Sequence, residues 1–216
     1  MKNISKEDYL STIYRHRNNE GGIKATQLAE QLEISNAAVT DMMKKLSRDG
    51  LVNYTRYKGI KLTGRGESYA RNMVRRHRIW ELFLQRIVGM PWDKVHDEAE
   101  NLEHSSSDEL INRLEEMLDY PHFDPHGDPI PDKDGVIVIR HDKTLDQVKQ
   151  GDSAIIVGVK DHSTAFLKFV DSISLTLGTE VKVLEVINYD KSLVIKTENY
   201  PSRSLSYQVC KNLLVE

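Results

Sequence analysis

Four residues in the stretch KVHDEAENLEHSSSDEL, Lys94 to Leu110, have the types and spacing of metal ligands. His96, Glu100, Glu103 and His104 fall at offsets of zero, four, seven and eight. At about 100° per residue in an α-helix they project from one face. Val95, Ala99 and Leu102 form an apolar stripe beside them. Two imidazoles and two carboxylates so arranged suit a divalent first-row ion. The same residues would also serve as a solvated face carrying ordinary i,i+4 charge pairs. Upstream, His77 and Glu81 sit i,i+4 on another helical stretch; as a lone pair they read as solvated too. Asp8, in the first turn of an N-terminal helix, needs no role beyond favouring the helix dipole.

These side chains must be held by the elements around them. Residues 5–17 read as a helix that Ser5 can cap, with Leu10, Ile13 and Tyr14 at helical spacing. After Gly21-Gly22, Thr26 is expected to cap a short helix through Leu32. Glu33-Ile34 make a tight turn. Ser35 or Asn36 caps a second helix to Arg48, with Val39, Met42, Met43 and Leu46 inward, and Asp49-Gly50 stops it. Leu51–Tyr54 and Gly59–Leu62 read as short strands around a basic turn. Helix, turn, helix and hairpin describe a winged helix-turn-helix. In such a unit the second helix offers its first residues to base edges, here Ser35, Asn36, Ala37, Thr40 and Asp41. Lys44, Lys45 and Arg48 follow where phosphates are met, and Arg56 and Lys58 sit on the wing. Winged helices also dock proteins, so the fold alone leaves that alternative open.

A long helix from Thr63 to Val88 comes next. Asp93 is expected to cap the helix bearing the four candidate ligands, and a further helix spans Ser107–Leu118. Three amphipathic helices bury their apolar faces more fully in a two-fold dimer. Four of the six prolines, Pro121, Pro125, Pro129 and Pro131, mark residues 121–139 as a linker or extended crossing. His122, Asp124 and His126 lie in it, where a histidine is usually a surface residue. From Gly135 apolar residues alternate. Val136–Ile139, Ser153–Val159, Glu180–Ile187, Leu193–Thr197 and Gln208–Val215 read as strands of a small barrel, and Ala165–Asp171 as one short helix. The expected division is 1–63, 64–120, 121–139 and 140–216.

Composition bounds the function. A chain of 216 residues, 39% hydrophobic and 29% charged, suits two or three folded domains. No apolar run reaches the roughly 20 residues of a membrane helix, and the charged, polar start shows no secretory signal, so the cytoplasm is the expected location. Cys210 is the sole cysteine, which excludes an intrachain disulfide and a cysteine-type zinc site. Net charge is −3, yet residues 1–80 carry 16 Lys and Arg against 8 Asp and Glu, whereas residues 81–216 carry 14 against 25. A basic N-terminal part joined to an acidic remainder fits a phosphate-binding module attached to something else. No HExxH, nucleophile elbow or phosphate-cradling glycine loop accompanies the His/Glu cluster, which argues against a metallohydrolase.

The sequence resembles the diphtheria-toxin-repressor and MntR family of metal-dependent transcriptional regulators. EDYLSTIY, SNAAVTDMMKKLSRDGLV, RRHRIWELFL, KVHDEAENLEHSSSDEL and PHGDPIP carry the resemblance, in that order, followed by a FeoA-like region. VHDEAENLEH joined to an upstream RHRxxE is its specific part. The resemblance implies a mainly α fold: a winged helix-turn-helix, a helical dimerisation domain and a C-terminal FeoA-like β-barrel. It also implies two metal sites per subunit. One matches Asp8, Glu100, Glu103 and His104. The other matches His77, Glu81 and His96 and is completed from the barrel, where His162, with Asp161 beside it, falls near one such position. The toxin-repressor branch has Met and Cys where Asp8 and Glu100 stand. Carboxylate in place of sulfur favours a hard ion, Mn²⁺ before Fe²⁺. Ser11 replaces the Glu of short manganese-branch members, which disfavours their close two-metal arrangement. Asp124 stands where some three-domain members have Cys and would add an oxygen ligand.

The resulting expectation is a metal-dependent repressor rather than an enzyme, a homodimer on a palindromic DNA operator, controlling metal homeostasis. An ion joining the leading helix to the dimer helices would favour the DNA-fitting conformation by its differential affinity for the two states. A metalloenzyme and a metal-independent winged-helix regulator are the rivals; metal titration with and without DNA separates all three.

Overall fold

The computed structural model describes residues 5–17, 19, 21–55, 58–140 and 143–216. They form two compact units, one from the chain up to Arg76 with Pro131–Val136, the other from His77–Ile130 with Ile137–Glu216.

The first unit begins with α1, Lys6–Arg15. Ser5 caps it: its hydroxyl accepts from the Glu7 and Asp8 amides, and Asp8 Oδ2 accepts from the Ser5 amide at 2.7 Å. Then come α2, Ala25–Gln31, and α3, Asn36–Arg48. Thr26 does not cap α2, which starts two residues earlier than a Thr26 cap would give because Gln27 Oε1 already accepts the Lys24 amide. Glu33 takes φ +55° in the tight turn, and Gly50 takes φ +69° to end α3, returning the Leu51 amide to Leu46 O at 2.9 Å. Strands β1, Val52–Asn53, and β2, Lys61–Leu62, pair antiparallel as the wing. Leu10, Ile13, Ile23, Leu28, Met43, Leu46 and Ile60 are fully buried beneath it. Helix-spaced apolar residues thus close a core that leaves the start of α3 exposed.

Helix α4, Gly64–Arg86, opens on a Thr63 cap, whose hydroxyl accepts the Gly66 amide at 3.0 Å. Its later part enters the second unit with α5, Val95–Glu103, and α6, Asp108–Met117, which Ser107 caps. Asp93 does not cap α5. Its Oδ2 lies instead 3.8 Å from Lys168 Nζ. The proline-rich stretch is no plain solvated crossing. Residues 122–130 fold into a loop closed by the Ile130 amide on His122 O at 2.8 Å, and Asp124, Pro125, His126 and Gly127 are buried in it.

The remaining elements are β3 (Lys143–Thr144), a 3-10 turn (Leu145–Gln147), β4 (Ser153–Val159), α7 (Thr164–Ser172), β5 (Glu180–Val186), β6 (Leu193–Lys196), β7 (Arg203–Leu205), α8 (Tyr207–Cys210) and β8 (Leu213–Val215). The strands make one antiparallel sheet in the order β3-β8-β4-β5-β6-β7. The sheet stays open: among the described residues β3 and β7 are its edges, too short for the staggered ladder of a closed barrel. Val136–Ile139 forms no strand, since alternation without a neighbour to pair with does not make one; Val136, Val138 and Ile139 are exposed. The expected strand Gln208–Val215 is split, because Ser206 caps a helical turn that buries Cys210 before β8.

Candidate metal centre

Two elements of the second unit meet at His77. The residue lies on α4 one turn before Glu81, and both are buried. His96, in the first turn of α5, completes a triangle. His77 Nε2 is 3.0 Å from Glu81 Oε1 and 3.0 Å from His96 Nδ1, and His96 Nδ1 is 3.1 Å from Glu81 Oε1. First-row ions form bonds of about 2.1 Å to such donors, so ligands at right angles stand about 3 Å apart. The donor spacing therefore fits an ion of that size.

The other ring nitrogen of His77 faces Glu103, with Nδ1 2.6 Å from Oε2. That bond fixes the ring so that Nε2 faces Glu81 and His96, the arrangement in which a carboxylate orients a ligating imidazole. His104 Nε2 lies 3.4 Å from the other oxygen of Glu103.

A second donor group shares Glu81. Ligand atoms of Glu81, Asp124 and His126 all lie within 4.8 Å of one another. His126 is only 3% exposed. Its Nε2 donates to the Trp92 carbonyl at 2.9 Å, which leaves Nδ1 directed at Glu81 Oε2, 3.8 Å away. The ring stacks on Trp92 at 6.0 Å between centroids. Asp124 Oδ1 accepts the amides of His126 and Asp128 at 2.8 and 3.0 Å, holding the loop on itself.

The electrostatics are those of a cation-seeking site. Burial opposes charge on His77, but Glu81 and Glu103 override it and hold the imidazolium up to about 9. Burial likewise opposes charge on His126, and Glu81 with Asp124 lifts it to about 9. Burial would raise Glu81, yet His77 and His126 keep it well below the usual carboxylate range. Asp124 is pushed up to about 7 by burial and by the charges of Glu81 and Asp128. Protonated rings thus neutralise carboxylates where a divalent ion would serve.

His77, Glu81 and His96, singled out by sequence, are brought together. The single helical face of α5 divides its duties: His96 turns to the α4 pair, while Glu103 meets His77 from the far end of the helix. Glu100 is half-buried on α5 and His104 caps that helix. Asp8 lies on α1 in the first unit. His162 is not in the donor groups found among the described residues. Its Nε2 is bonded to Val159 O at 3.2 Å, and its ring lies 5.2 Å from that of His126. Asp161 accepts the Ser163 amide instead of facing the cluster. His126 is the residue that sequence reading missed. Its one signal is the PHGDP spelling: Gly127 takes φ +89°, and a Cβ there would overlap the Val157 carbonyl and the Gly158 backbone.

At the start of α3 Ser35, Asn36, Ala37 and Asp41 are exposed and Thr40 is half-buried. Ser35 Oγ accepts the Ala38 amide and Thr40 donates to Asn36 O at 2.9 Å, so both hydroxyls already serve the helix. Asp41 pairs with Lys44 at 3.3 Å on the surface. Lys45, Arg48 and Lys58 are exposed, and Arg56 lies outside the described residues. Among the described residues no helix is long and apolar enough to cross a membrane.

Comparison with known proteins gives three consecutive family matches. Residues 3–60 match "Iron dependent repressor, N-terminal DNA binding domain", residues 63–132 "Iron dependent repressor, metal binding and dimerisation domain" and residues 143–216 "FeoA domain". The chain is 38% identical over 159 residues to the diphtheria toxin repressor of Corynebacterium glutamicum, covering 72% of this chain and 66% of that one. It is 33% identical over 118 residues to the HTH-type transcriptional regulator MntR of Lysinibacillus sphaericus, covering 55% of this chain and 84% of the relative. A solved structure of a manganese-dependent transcriptional repressor in complex with manganese superposes with a TM-score of 0.85 at 31% identity, covering 98% of this chain and 99% of that one. With the same order of domains and a donor cluster of the right chemistry, the chain belongs to the diphtheria-toxin-repressor and MntR family of metal-dependent transcriptional regulators.

Proposed function

We propose that this protein is a metal-dependent DNA-binding repressor that controls metal homeostasis, acting as a homodimer on a palindromic operator in the cytoplasm. The observation that carries the reading is the convergence of His77 Nε2, Glu81 Oε1 and His96 Nδ1 at mutual distances of 3.0–3.1 Å. Its donors are nitrogen and oxygen only, which suits Mn²⁺ first and Fe²⁺ second. Asp124 and His126 extend that donor set through Glu81; His162 would join only by giving up Val159. The resemblance adds a second set, Asp8 with Glu100, Glu103 and His104, as the regulatory ligands.

A bound divalent ion supplies the positive charge that protonated histidines otherwise provide. The residues do the rest. His77 gives up its Nε2 proton and keeps Nδ1–H on Glu103. His126 keeps Nε2–H on Trp92 and presents Nδ1. Glu103, which orients His77, would thereby serve both donor sets. The DNA contacts fall to Ser35, Asn36, Ala37, Thr40 and Asp41 at base edges and to Lys44, Lys45, Arg48, Arg56 and Lys58 at phosphates. No catalytic role is assigned to the cluster.

The test is operator binding by fluorescence anisotropy after chelation, then with Mn²⁺ or Fe²⁺ restored. Tight binding is expected only with metal, and Mn²⁺ is expected to act at lower concentration than Fe²⁺. Equal binding after chelation would end the reading; Fe²⁺ acting at the lower concentration would favour the iron alternative.

A further inference from the structure

Beside the donor cluster sits one cation that the metal reading leaves without a task. Arg78 follows His77 on α4, and its side chain is mostly buried. The guanidinium spends three nitrogens on a single loop. Nε is 3.4 Å from Asp124 Oδ2, Nη2 is 3.1 Å from Asp128 Oδ2, and Nη1 donates to the Pro129 carbonyl. Those acceptors flank His126. The loop between them is held internally by Asp124 Oδ1 on the amides of His126 and Asp128. A planar fork meeting three acceptors fixes position and rotation together, which a point charge cannot do.

We infer that Arg78 is a positioning residue: it locks the 124–129 loop onto α4 in the one register that brings His126 Nδ1 and Asp124 to Glu81. The inference rests on the metal-binding reading above and deepens it. The cluster then has two halves of different construction. His77 and His96 reach Glu81 from helices, whereas His126 and Asp124 reach it from a loop that Arg78 ties to α4. Asp124 also has two duties on one carboxylate, loop closure through Oδ1 and the Arg78 contact through Oδ2.

The test uses the full chain as wild type, R78Q, R78K and D128N, each stripped with chelator. Bound Mn²⁺ is counted by electron paramagnetic resonance and ranked by calorimetry, with H126A and H96A as markers for the two halves. Amide hydrogen exchange at His126 and Asp128 is read on the same metal-free samples. R78Q is expected to lose about tenfold or more in affinity for the ion that H126A also loses, and to change nothing further when combined with H126A. The ion that H96A loses is expected to stay within about twofold. Exchange at both amides is expected to rise in metal-free R78Q, and R78K is expected not to restore either property.

Unchanged affinity in R78Q, an even loss at both ions, full rescue by R78K, or a single ion abolished by both markers would each overturn the assignment. Should R78Q fail to fold, D128N removes the charge from one contact at a half-exposed side chain. It is expected to shift the same ion and the same two amides by a smaller factor; no shift there overturns the assignment. Wild type without bound Mn²⁺ would sink the metal reading itself, and the exchange comparison would still decide whether Arg78 holds the loop.

Discussion

His77 Nδ1 stands 2.6 Å from Glu103 Oε2, both buried, while the other face of the same ring meets Glu81 and His96. One imidazole therefore joins the two ligand sets that the family resemblance treats separately. Its consequence is that Glu103 has two functions. It orients His77, and in the proposed reading it is itself a ligand.

Glu103→Ala removes both functions and leaves a buried Nδ1–H without its carboxylate, at a cost of about 1–3 kcal/mol. Glu103→Gln keeps an oxygen for that N–H and removes the charge. Both variants are expected to lose metal-stimulated DNA binding, and only Ala to lose appreciable stability. Denaturant melts of the metal-free proteins, run beside anisotropy, measure the split. Equal stability of the two variants would count against the orienting role.

Removing metal should make stability depend on pH. His77 and His126 are held up at about 9 from an ordinary 6.5. Each contributes stability fully present below about 6.5 and lost as pH rises through about 9. Asp124, raised from 3.8 to about 7, acts in the same sense, with its contribution lost as pH rises through about 7. The depressed Glu81 acts oppositely, but its loss falls in the acid range below this window. Chelated protein is expected to melt at least about 3 °C lower near pH 9.5 than near pH 6. Scanning calorimetry in chelator would measure this, and a flat profile would contradict it.

Gly127→Ala places a Cβ against the Val157 carbonyl and the Gly158 backbone at φ +89°. Neither neighbour is a flexible side-chain end. The substitution is expected to cost about 1–3 kcal/mol from the backbone conformation alone. By displacing the loop it should also weaken Mn²⁺ binding at His126 while sparing the ion held by His77 and His96. A variant with normal stability and full Mn²⁺ stoichiometry would show that the loop tolerates movement.

The reading surface of α3 separates into two kinds of contact. Lys45→Ala is expected to weaken binding to operator and random DNA alike, and to lower the salt slope by about 1. Asp41→Ala breaks an exposed ion pair with Lys44 worth little in stability. It is expected to change base preference instead of overall affinity. Anisotropy over a salt series on operator and scrambled duplexes distinguishes them; a Lys45 variant selective for one sequence would reverse the assignment.

Much of this was written locally in the chain. Ser5 and Asp8 spell the cap of α1, Ser35 that of α3, and Ser107 that of α6, because capping joins residues three apart. The His77–Glu81 spacing already places two ligands on one helical face. The basic first part and the acidic remainder were likewise visible as composition. Among the expectations that failed, two show what local logic leaves out. Asp93 faces Lys168 instead of capping α5, and Val136–Ile139 alternates without a partner strand.

Sequence by itself determined the winged helix-turn-helix, the ligand-bearing helices and the choice of nitrogen and oxygen donors, since helical periodicity and side-chain chemistry act over a few residues. Only the tertiary structure decided that His126 is buried against Glu81, that Arg78 holds its loop, and that Glu103 closes on His77 from 26 residues away. Such contacts depend on how loops close and how helices pack. Periodicity carries no record of either.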